Sequence, residues 1–77
     1  MSLFDSIAES QKIEILQATR LGLVRELYSL LVLFGVDPET YVLGSWVPRE
    51  NLMVDPGQIR LMDVDAAIRK IDEKLEG

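Results

Sequence analysis

Residues 51–62 read NLMVDPGQIRLM, and whether this chain holds any β-structure turns on them. Pro56-Gly57 at the centre of a four-residue turn suits type II geometry, in which the glycine takes the positive φ. NLMV and QIRLM then become the strands of a small hairpin, and the chain is α+β. The same residues admit a helical start, with Asp55 as the N-cap, Pro56 in the first position, where its missing amide costs nothing, and Gln58 in the third. The hairpin is the preferred expectation, although tight hairpins favour the primed turns.

Outward from this stretch the reading is simpler. Asp63 is expected to cap a C-terminal helix reaching about Leu75, because Val64, Ala67, Ile68, Ile71 and Leu75 share one face while Asp65, Arg69 and Glu73 form an i,i+4 ladder on another. On the other side, SWVPREN (45–51) reads as a loop. Asp37-Pro38 pairs an N-cap with a first helical residue, which predicts a short helix from Asp37 to about Leu43, stopped by Gly44. Further back, SIAE at Ser6–Glu9 fits a capping box. From there to Phe34 there is no proline. Ile13, Leu16, Arg20, Leu23, Leu27, Leu30 and Phe34 follow a 3-4 spacing that predicts one long helix, or two joined near Gly22, with Gly35 as the C-terminal cap. The expected fold is a single domain over residues 1–77, mainly α with a small α+β variant. Its order is a long N-terminal helix, a short helix, a small β-hairpin or turn, and a C-terminal helix.

A chain of 77 residues buries only about 60% of the surface its unfolded form exposes, so it usually gains stability from disulfides, a metal or a partner. Cysteine and histidine are both absent. Their absence removes disulfides, thiolate and imidazole metal sites, thiol nucleophiles and the usual general base near neutral pH. Eight Lys and Arg stand against 13 Asp and Glu, so the basic footprint that phosphate backbones need is lacking and direct nucleic-acid binding is not expected. Asp63-Val64-Asp65 lacks the ligand order and glycine of a calcium loop and reads as helix capping rather than a metal site. No glycine-rich phosphate loop or nucleophile elbow occurs. Length and acidity are similar to those of acyl carrier proteins, whose modified serine lies in a D-S-L motif at a helix start. Here GVDPETYVLGS (35–45) has Pro38 after the aspartate and Ser45 after a glycine, so the match fails at the residue that carries that function. No enzyme activity, cofactor or metal is expected. MSLFDSIAES has no basic segment ahead of an apolar one, so no secretory signal is expected and the chain is read as cytoplasmic.

What remains is the run LYSLLVLFGV, residues 27–36. A membrane span needs about 20 apolar residues, and Arg25, Glu26 and Asp37 bound this run, so no span is expected. On a helical wheel the apolar positions fill about half the circumference, wider than the stripe of an ordinary surface helix, and the end near Val32 and Leu33 is apolar almost all round. The short downstream elements are expected to sheath only part of such a helix. A homodimer is therefore expected, with Leu23, Leu27, Leu30, Leu31 and Phe34 as the seam between chains. Val32 and Leu33, with Tyr41 and Trp46, are the candidate contacts for another protein. Arg20 interrupts the apolar stripe. It either pairs with a second-half acid such as Asp63 or Asp65, or carries its guanidinium out to water along a packed stem, the reading preferred here. The functional expectation is a non-enzymatic, self-associating adaptor or assembly component. The alternative is an acidic inhibitor or nucleic-acid mimic that occupies a partner's basic site, since nine of the acids lie beyond Val36.

Overall fold

The computed structural model describes residues 3–48 and 55–77. The first helix, α1, spans Glu9–Leu33 and passes through Gly22 without a break. A lone glycine costs a helix about 1 kcal/mol relative to alanine, too little to break an element whose inner face is packed along much of its length. The start lies later than the capping box at Ser6–Glu9 implies. Ser6 belongs to a turn in which the Ile7 N–H donates to the Phe4 carbonyl, and the Gln11 side-chain oxygen accepts from the Ala8 N–H at 3.1 Å. Gln11 therefore satisfies a backbone donor just ahead of the helix, the part the capping box assigns to Glu9.

The other end of α1 follows the sequence. Gly35 takes φ +74°, a conformation that costs a side-chain-bearing residue about 1 kcal/mol or more. Its N–H donates to the Val32 carbonyl at 3.0 Å and that of Val36 to the Leu31 carbonyl at 2.9 Å, the paired bonds of a Schellman cap. Val36 then packs against the cluster that contains Leu31. Asp37 caps the next turn by accepting from the Glu39 N–H at 3.0 Å, but the short helix expected to reach Leu43 is only a 3-10 turn, Pro38–Thr40. Tyr41 leaves that turn in an extended conformation, and its hydroxyl donates to Asp65.

The second helix, α2, spans Pro56–Glu76. The hairpin preferred for residues 51–62 is thereby overturned from Pro56 onward, and the NLMV half lies outside the described residues. Asp55 accepts from the Gly57 N–H at 3.0 Å and the Gln58 N–H at 3.3 Å, so Pro56-Gly57 forms the first turn of a helix. Asp63, expected to be a cap, is an exposed mid-helix residue instead. The deciding factor is packing: Leu61, Val64, Ile68 and Ile71 are all buried and keep a 3-4 spacing straight through Asp63. Among the described residues there is no strand, and the fold is mainly helical.

The helices form an antiparallel pair. Arg20 meets Asp72 at one end, and at the other the Phe34 ring lies so close to Gly57 that a Cβ there would sit 3.0 Å from it. Leu27 and Leu31 of α1 pack with Leu61, Val64 and Ile68 of α2, and Val36, Tyr41, Leu43 and Trp46 close the cluster from the connecting segment. At 1.5 Å per residue, this register brings the end of α2 level with about Leu16, so the first turns of α1 project beyond it. No helix among the described residues is long and apolar enough to cross a membrane.

Candidate functional site

The sequence places Leu23, Leu27, Leu30, Leu31 and Phe34 on one seam, and the structure turns that seam inward. Leu27 is 6% and Leu31 2% exposed, while Leu23, Leu30 and Phe34 are partly buried against the same cluster. The chain's own second helix and connecting segment pack against them.

Tyr41 and Trp46 are also drawn inward. Trp46 packs on Phe34, with ring centroids 5.6 Å apart, and its indole N–H donates to the Gln58 side-chain oxygen at 3.3 Å. Tyr41 belongs to a polar cluster that sequence reasoning missed. At its centre is Asp65, 2% exposed, which accepts from the Tyr41 hydroxyl, from the Gly44 N–H at 3.0 Å and from Arg69 Nε at 2.8 Å. Burial alone would push the Asp65 carboxyl up, but donation from Tyr41, Gly44 and Arg69 outweighs it and holds the group below its ordinary value. Burial, reinforced by the hydrogen bond to Asp65 and its charge, pushes the Tyr41 hydroxyl up to about 12. Gly44, at φ +82°, presents its amide to the carboxylate. The only signal for this arrangement was an aromatic followed by a turn glycine, and nothing in it names Asp65 as the acceptor. The cluster anchors the connecting segment to α2.

Arg20 pairs with an acid of the second half, Asp72, through contacts of 2.6 and 3.3 Å, rather than with Asp63 or Asp65 or with water alone. Arg60 of α2 likewise donates to Glu26 of α1, Nη2 to Oε1 at 2.7 Å. Both pairs lie across the helix interface and hold its register.

The surface left open is the outer face of α1. Glu14, Ala18, Leu21, Arg25, Tyr28 and Val32 are all exposed and follow an unbroken 4-3-4-3-4 spacing, the repeat of a helix-to-helix seam. Arg25 lies about 160° round the helix from Leu27, at the centre of the inner face. Leu21, Tyr28 and Val32 are 53%, 52% and 56% exposed. Ile13 and Ile15 are exposed on the overhanging first turns. Beside Tyr28 a shallow groove of about 220 Å³ runs between α1 and the segment carrying Pro38, Tyr41 and Leu43. At the loop end Leu33, Val42 and Val47 are each about two-thirds exposed or more. Of the four residues read as partner contacts, Val32 and Leu33 are thus at the surface and Tyr41 and Trp46 are held against the core. No group of three or more acidic side chains that could hold a metal ion occurs among the described residues.

No protein-family model, no curated protein and no solved structure matches this chain.

Proposed function

We propose that this chain is a non-enzymatic protein that self-associates and serves as an adaptor or assembly component for another protein in the cytoplasm. The observation that carries the reading is the outer face of α1. Leu21, Tyr28 and Val32 remain half-exposed or more after the chain has folded its other elements against the inner face. Large apolar side chains left exposed on one helix face, here with Arg25 between them, are the kind of surface that association covers. Leu33, Val42 and Val47 are further exposed apolar side chains outside the row of Leu21, Tyr28 and Val32, and a second protein, which an adaptor requires, has them to contact.

The acidic-inhibitor alternative has less support. Asp37 and Asp55 cap helical turns, Asp65 is buried and Asp72 is paired with Arg20. Four of the nine acids beyond Val36 are therefore committed within the chain, Asp65 and Asp72 of the last helix among them. Light scattering on a sizing column, over a range of loading concentrations, tests the reading. A dimer at micromolar concentration that dissociates on dilution supports it, and a monomer throughout refutes it.

A further inference from the structure

We propose that the partner of α1's outer face is the same face of a second copy, lying antiparallel, in the register that sets Glu14 of each chain against Arg25 of the other. This rests on the self-association reading above and adds orientation and register to it. Two charges set the register. Among the described residues Glu14 and Arg25 take part in no ion pair, yet both stand in the apolar row, where a charge is costly to cover unless it meets its opposite. A parallel pairing sets Glu14 against Glu14 and Arg25 against Arg25.

An antiparallel pairing changes register in steps of about seven residues, because each seam position must again meet a seam position. One such register puts Arg25 opposite Leu21 and Glu14 opposite Val32; another puts Arg25 opposite Tyr28 and leaves Glu14 beyond the overlap. In the register centred between Thr19 and Arg20, Glu14 meets Arg25, Ala18 meets Leu21 and Gln11 meets Tyr28. Each charge finds its opposite, and Leu21 and Tyr28 face a smaller and a flexible polar side chain, while Val32 falls opposite Ile7, just ahead of α1. This register also covers the overhanging first turns of α1, because the helices overlap along almost their whole length. Gly22 flanks the seam with open space above its backbone, so nothing there holds the second helix away.

Because the protein has no cysteine, introduced thiols report the register directly. Chains carrying Gln11→Cys and chains carrying Tyr28→Cys are unfolded together, refolded, and oxidised mildly. The proposal predicts a disulfide between positions 11 and 28 in the mixture and none in either variant alone. Like positions would lie about 26 Å apart at 1.5 Å per residue, far beyond disulfide reach. Self-linking of both single variants would show a parallel pair, and self-linking at position 28 alone a shifted register; either overturns the proposal. A dimer by sedimentation with no link in the mixture overturns the register but leaves the self-association reading standing, whereas a monomer overturns both. Charge reversal gives a second readout: Glu14→Arg or Arg25→Glu alone should weaken the dimer by about tenfold, and the two together should restore it. Failure of that rescue also counts against the proposal.

Discussion

Replacing Asp65 by asparagine keeps the size of a buried side chain and removes its charge. In the folded protein its carboxylate accepts from Tyr41, Gly44 and Arg69. The Tyr41 hydroxyl and the Gly44 N–H reach the same carboxylate oxygen, so an asparagine oxygen placed there keeps both, and its NH2 group then faces the Arg69 donor. Arg69 is half-exposed and turns to water at little cost. Turning two hydrogen bonds to a charged acceptor into neutral ones comes to about 2 kcal/mol, or roughly 10 °C in Tm for a domain of this size. The assay is urea and thermal unfolding followed by circular dichroism, with Trp46 fluorescence reporting the anchored segment, at matched protein concentration because association would add to apparent stability. The dependence on pH has a definite sign. Asp65 is held below its ordinary value of 3.8, so its contribution is present above that value and lost as pH falls through the lowered one. The gap between parent and Asp65→Asn should therefore close in acid. A loss under about 0.5 kcal/mol at neutral pH, the usual range for surface substitutions, or a gap that stays constant into acid, would refute the anchoring role.

Tyr41→Phe should cost about 2 kcal/mol, as the loss of a hydrogen bond to a charged acceptor, and blunt alkaline unfolding. The Tyr41 hydroxyl is raised from 10.0 to about 12, so its contribution is complete below the lower value and lost as pH climbs through the upper one, as a pH titration of Tm would show. Leu31→Ala should destabilise by about 2–5 kcal/mol as a buried truncation, whereas Leu21→Ala should leave monomer stability within about 0.5 kcal/mol; equal losses in urea titrations at low protein concentration would contradict the division into inner and outer faces. Asp72→Asn should lower stability slightly, and the difference should shrink in high salt, since the pair it forms with Arg20 is partly exposed; an undiminished difference would locate its cause elsewhere.

The long helix and its glycine cap were legible because both depend on local signals: an uninterrupted 3-4 apolar spacing, and a glycine where the chain must turn left-handed. The start of α2 was misread for an equally local reason. Pro-Gly serves a type II turn and the first turn of a helix alike, and only the periodicity from Leu61 through Asp63 to Ile71 separates them. That periodicity was present, but Asp63 looked like a fresh cap. The site was less legible because its definition is tertiary. Leu21, Tyr28, Leu27 and Leu31 all belong to the apolar half of the wheel, and nothing local says which of them α2 and the connecting segment will cover. The Asp65 cluster joins residues 21 and 24 positions apart, beyond the reach of any spacing rule. Trp46 and Tyr41 read as exposed anchors until Gln58 and Asp65 are found opposite them.

The most direct test of the account is sedimentation equilibrium on the parent chain beside Leu21→Glu, a substitution at an exposed position that leaves the inner core untouched. The account predicts twice the chain mass for the parent at micromolar concentration, and a single chain mass for Leu21→Glu with its helical circular dichroism intact. A parent that stays monomeric, or a Leu21→Glu variant that dimerises as strongly as the parent, would contradict it.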